Sequence, residues 1–278
     1  MRFLPQSAWF GLTRQRLRRF AITLAVVLAL LIASYVAAST YLYLEARRAD
    51  DLLHRVYSVR IGDPESLLTP LLYKYEDREH ERIFHLKNQR VLAVNPWHFY
   101  GPFSRYQWVD NAIRSVLFDF DPNARRRMGL RAWYVGAGFD FENGKVSNVS
   151  VDVTVEGENE WLMGTSYLLP ALSQEALHGR NVDTAGHPEM AHYYAHWSHL
   201  HMGGGETGEV LVNDLAFDAN AEQMQAGREF NLRCLTSLRG CHSLCELMPL
   251  ATRYRHAHGY PGLGWNSGSW APQDQSCE

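Results

Sequence analysis

From Phe20 to Leu44 the chain carries no Asp, Glu, Lys or Arg, and most positions are apolar with polar residues recurring on no face. A helix of that length crosses the roughly 30 Å hydrocarbon core of a bilayer, so the pattern predicts a membrane-spanning segment over residues 20–44. Beyond it, residues 45–58 alternate charged and apolar side chains and read as an exposed stalk helix. Val56, Val59 and Ile61 then lead into Gly62-Asp63-Pro64-Glu65, where Asp63 is the expected N-cap and Pro64 fits the first helical turn. Leu67, Leu68, Leu71, Leu72 and Tyr75 give the following helix an apolar stripe.

The period then shortens to two. Residues 83–86 and 91–94 read as strands, and residues 106–117 as a helix. Ala132 to Glu142 and Lys145 to Val155 flank Asn143-Gly144, a pair that favours a type I′ hairpin turn. Val149, Val151, Val153 and Val155 alternate with Ser150, Asp152 and Thr154, which predicts one buried and one polar face. A second hairpin is expected from Ala191–Met202 and Glu209–Phe217 across a glycine-rich turn, followed by a helix over residues 219–230. Strands grouped by hairpins, without a βαβ rhythm, predict an α+β domain on a mainly antiparallel sheet with flanking helices, over residues 59–258. Residues 259–278 are rich in Gly, Pro, Ser and Trp and read as an irregular tail.

Charge orients this layout. Arg14, Arg16, Arg18 and Arg19 precede the apolar run, while the far flank mixes acids and bases, so the positive-inside tendency keeps residues 1–19 in the cytoplasm. The expected protein is a single-pass inner-membrane protein held by a signal anchor, with its C-terminal domain periplasmic or extracellular. Val36-Ala37-Ala38 offers the small residues of a cleavage site, but the apolar run is longer than a cleaved signal's h-region of about 7–15 residues. The lipid bilayer is thus a partner through residues 20–44. Five of the 27 basic residues lie before residue 45, which leaves 22 against 30 acidic ones and a net charge of −8 beyond the membrane. That balance argues against nucleic acid and against anionic lipid as partners.

All four cysteines, Cys234, Cys241, Cys245 and Cys277, fall on the far side of the membrane, where disulfides are the default. Cys234 is the better partner for one of Cys241 and Cys245, because a pair four apart in a helix directs its Cβ atoms poorly for bonding. Cys277 is left for the other or free, and the three connectivities stay open. A zinc knuckle lacks its C-x₂-C pair.

His187, His192, His196, His199 and His201 form a dense set of imidazoles. Neutral imidazole ligates zinc readily, and in a helix His192, His196 and His199 would share one face. In a strand the set divides between two faces, and Tyr193, Tyr194 and Trp197 favour the strand. No H-E-x-x-H accompanies them, so no cofactor is expected on the leading reading, and zinc on its rival. Asp119, Asp121, Asp140 and Glu142 are further carboxylates that could pair in space. Trp97, Phe99, Tyr100, Phe103, Tyr106 and Trp108 read as core filling beneath the sheet.

Two stretches carry resemblances. Val59-Arg60-Ile61-Gly62 with its capped helix resembles the start of the small α+β lipoprotein subunit of the outer-membrane barrel-assembly machinery, a shared way of opening a helix without that subunit's lipobox. The segment Cys234-Leu-Thr-Ser-Leu-Arg-Gly-Cys241-His-Ser-Leu-Cys245-Glu-Leu-Met-Pro249 resembles segments of uncharacterised bacterial single-pass membrane-anchored proteins, which implies no activity. The expectation is therefore a membrane-anchored, extracytoplasmic, non-catalytic domain that binds a protein or envelope component. The alternative is a membrane-anchored metal-dependent hydrolase using His192, His196, His199 and His201.

Overall fold

The computed structural model describes residues 7–75, 89–94, 126–157, 161–172, 192–201, 207–237 and 239–258. The chain divides into two compact units, Met1–Tyr41 and Leu42–Glu278. The first belongs to the long helix α1 (Ser7–Ser58). The most apolar window of this helix has mean hydropathy 2.5 and no buried residue, and the helix is long and apolar enough to cross a membrane. Leu24, Leu28, Leu31 and Ile32 each expose more than half of their surface, a cost in water of about 25 cal/mol per Å² that lipid removes.

The second unit is an α+β domain. After α1 come a 3-10 turn (Glu65–Leu68) and α2 (Thr69–Tyr75), then strands β1 (Gln89–Val94), β2 (Trp133–Glu142), β3 (Lys145–Glu156), β4 (Trp161–Leu169), β5 (Tyr193–His201) and β6 (Thr207–Ala216). Helices α3 (Ala221–Arg228), α4 (Leu244–Leu247) and α5 (Pro249–Ala257) close the described chain. The six strands form one sheet in the order β1-β2-β3-β4-β6-β5. Every neighbouring pair is antiparallel except β4 with β6, which run parallel.

The β2–β3 hairpin forms as its turn chemistry demands. Asn143 and Gly144 have φ of 53° and 73°, the two positive values that a type I′ turn needs. Farther along, Asp140 pairs with Asn148 but Phe141 pairs with Val146, so Ser147 is an extra residue in a β-bulge. One sheet face carries Leu92, Val94, Trp133, Val135, Ala137, Phe139 and the valines of β3, all buried in a single core. On the other face Tyr134, Ser150, Asp152 and Thr154 are half-buried.

The C-terminal segment packs on the apolar face. A Cβ placed on Gly164 of β4 would come within 2.7 Å of both Met248 Sδ and Phe230 Cε1, so glycine there is what lets that segment approach the strand. Asn213, fully buried in β6, accepts a hydrogen bond from Tyr193 Oη at 2.7 Å and donates to Thr165 O at 3.3 Å. Tyr193 in turn meets the edge of Tyr254 from α5, with ring centroids 4.9 Å apart.

Two expectations are corrected here, and one strand is added. Residues 45–58 are helical but not an exposed stalk: Ala49, Leu52 and Val56 are wholly buried, and with Ala46 and Leu53 they belong to the core. Asp63 does not cap the following helix; its Oδ2 accepts from Arg60 N at 2.8 Å, while Pro64 takes the cap position without a side-chain bond. Residues 161–169 form a central strand that the apolar pattern did not reveal. The strand expected over 83–86, the helix over 106–117 and the aromatic stretch from Trp97 to Trp108 lie outside the described residues.

Candidate functional site

The histidine segment is a strand, so the helical arrangement of His192, His196 and His199 does not form. His192 precedes β5, is exposed, and holds its Nδ1 3.0 Å from Asp218 Oδ1. His196, His199 and His201 stand in register with Val212, Glu209 and Thr207 of β6. Their side chains, and all of His187, lie outside the description. Among the described residues no group of three His, Cys, Asp or Glu is placed to hold a metal ion.

Of the expected carboxylates, Asp140 and Glu142 meet at the β2–β3 bulge, while Asp119 and Asp121 lie outside the described residues. Together with Gln89, Ser147, Asn148 and Pro170 they line a cleft of about 430 Å³. Asn148 Nδ2 donates to Asp140 Oδ2 at 3.0 Å, which ties the bulge to the strand beside it. The bulged Ser147 is part of its lining, and no motif in the sequence announced the cleft.

A second polar cluster joins α1 to α2. Asp51 accepts from Lys74 Nζ at 2.8 Å, from Tyr75 Oη at 2.7 Å and from Arg55 Nε at 3.0 Å. These bonds, Lys74 first, hold the Asp51 carboxyl far below the usual carboxylate range. Arg48 Nη2 donates to Lys74 O at 2.9 Å and its guanidinium lies 5.3 Å from the Tyr75 ring centre. At the other end of the helix, Tyr57 Oη donates to Arg228 O, and the Arg228 guanidinium sits 4.7 Å over the Tyr57 ring. Burial pushes the Tyr57 phenol up and the Arg228 guanidinium down, each towards its neutral form. The apolar spacing at residues 46, 49, 52, 53 and 56 was the signal for this packed helix, and the surrounding charges hid it.

Cys234 and Cys241 form a disulfide with their Cα atoms 5.0 Å apart. Cys245 is disulfide-bonded as well, and no described cysteine is a free thiol; Cys277 lies outside the described residues. The loop is fastened to the sheet by the buried Arg131, which donates to Arg239 O at 2.7 Å and to Glu156 O at 3.2 Å. Gly240, at φ 73°, leaves room for that guanidinium, since a Cβ there would lie 2.1 Å from Arg131 Nε. Peptide mapping without reduction is expected to recover Cys234 linked to Cys241. A Cys234–Cys245 peptide would contradict that pairing. Replacing Cys234 and Cys241 together by serine is expected to cost about 2 kcal/mol, the value for closing so short a loop.

No family model, no curated protein and no solved structure matches this chain.

Proposed function

We propose that the chain is a single-pass membrane protein with a cytoplasmic N-terminus, whose domain from Leu42 onward lies outside the cytoplasm and binds a partner protein or envelope component without catalysing a reaction. The observation that carries the reading is a helix whose most apolar window has no buried residue, in a chain whose domain holds a disulfide. The arginines before the helix give the direction, and the oxidised cysteines fit an extracytoplasmic compartment. Binding is preferred to catalysis because the polar clusters around Asp51, Arg228 and Asn213 each join one core element to another and so hold the fold.

Protease protection of the full chain in a Gram-negative host tests this reading. Protease added outside the inner membrane should digest the domain and spare an N-terminal tag. Leu28→Arg with Leu31→Arg should move the protein out of the carbonate-washed membrane, since each arginine at mid-span costs about 2.5–3.5 kcal/mol. A protected domain with reduced cysteines would overturn the proposal. About one zinc per chain, lost in His196→Ala, would replace binding by the hydrolase reading.

A further inference from the structure

We propose that the arginines ahead of the span form a binding site for the phosphate headgroups of acidic phospholipids in the cytoplasmic leaflet. This rests on the reading that α1 crosses the membrane with its N-terminus in the cytoplasm, and it uses only the entry of the span. Every residue from Gln15 to Ala37 is exposed, and the apolar run begins at Phe20, directly after Arg18 and Arg19. Leu17 and Phe20 each expose 68% of their surface. Three apart on the helix, they share one side and enter the acyl boundary together, which keeps the neighbouring guanidiniums at the level of the lipid phosphates. Arginine stems lie along apolar surface at such a boundary while their charge stays wet.

The charges at this entry have no counter-charge on their own stretch of chain. No Asp or Glu occurs before Glu45, which lies about 39 Å along the helix from Arg19 at 1.5 Å per residue. That gap is several times the Debye length of about 8 Å, and Glu45 already sits 3.5 Å from the Arg48 guanidinium. Arg16, Arg18 and Arg19 are all exposed, and Arg14 precedes them in the sequence. Arg16 and Arg19, three apart, hold their Cβ atoms about 5–6 Å from each other, a spacing at which two guanidinium forks converge on one phosphate. Arg18 lies about 100° round the helix from Arg19 and serves a second headgroup. An anionic membrane surface attracts each such arginine by charge, and the planar donors match phosphate oxygens two at a time. The domain beyond the span is net acidic and repels the same headgroups, so the preference belongs to this flank.

Electron spin resonance of the full chain in phosphatidylcholine vesicles, probed with spin-labelled phosphatidylglycerol or spin-labelled phosphatidylcholine, tests the proposal. The expected result is that the protein restricts the motion of phosphatidylglycerol about fivefold more effectively, the factor that one arginine at an anionic surface contributes. A variant with Arg16→Gln, Arg18→Gln and Arg19→Gln should treat the two lipids alike. A variant of equal charge change in the domain, with the exposed Arg127, Arg233 and Arg239 each replaced by Gln, should keep the wild-type preference. Equal restriction of both lipids by the wild type would overturn the site and leave the span standing. A preference that survives in the flank variant, or that falls as far in the domain variant, would also overturn it. Loss of the preference to excess inorganic phosphate at constant ionic strength would mark a site for free phosphate and overturn the lipid assignment. Absence of any restricted lipid of either kind would overturn the span, and the proposal with it.

Discussion

Replacing Leu52 by alanine is expected to lower the unfolding free energy by about 2–5 kcal/mol, the range for emptying a leucine site in a packed core. Leu52 is wholly buried and lies among the sheet and C-terminal side chains of the core cluster. Against a typical domain stability of about 5–15 kcal/mol, such a loss shifts the thermal midpoint by many degrees. The same argument predicts which fragments fold. A fragment starting at Leu42 keeps Ala46, Ala49, Leu52, Leu53 and Val56, and should give a cooperative transition in near-ultraviolet circular dichroism. One starting at Val59 lacks all five and should give none. An unchanged midpoint in Leu52→Ala, or cooperative unfolding of the shorter fragment, would return residues 45–58 to the role of a stalk.

Trp133→Ala is the second large effect, at about 3–5 kcal/mol. Trp133 opens β2, stands in register with Val155 of β3, and is 1% exposed. Its indole therefore packs at the end of the sheet where Arg131 and Glu156 meet the disulfide loop: Ala132 N donates to Glu156 Oε2 at 3.0 Å, and Arg126 Nε lies 3.3 Å from Glu156 Oε1. Removing the ring leaves a cavity beside buried charges. Urea titration should show a lower midpoint with the slope preserved. A loss under 1 kcal/mol would mean that the neighbouring strands close over the gap, and that this end of the sheet is not tightly packed.

The elements that could be read from sequence share a local cause. Asn143-Gly144 needs only its own backbone preference to make a turn, and the valines of β3 need only alternation to find one face. The elements that could not be read depend on distant partners. In β4 burial alternates through Leu162, Gly164, Ser166 and Leu168, broken only by Thr165, but Gly and Ser take two of the buried places while Trp161, Met163 and Tyr167 are half-buried, so hydrophobicity does not follow burial; the C-terminal segment covers Gly164. Residues 45–58 carry Glu45, Arg47, Arg48, Asp50 and Asp51, which imitate a solvated helix. Only tertiary packing shows that these charges occupy the side turned from the core or bind α2. Asp63 carries the capping chemistry, but Arg60 N captured its carboxylate first. The candidate site was the least legible of all. Histidine spacing was plain, whereas the bulge at Ser147, which lines the cleft with Asp140 and Glu142, is a matter of strand register.

The five core residues of α1 lie between Ala46 and Val56, all downstream of the small-residue site at Val36-Ala37-Ala38. A peptidase cutting after Ala38 would therefore leave the shed product these five together with Leu42, and would remove the buried Ala38. Anchored and released forms would share the same core cluster. Proteolysis would then act as a change of address for a domain that keeps its shape when it leaves the membrane.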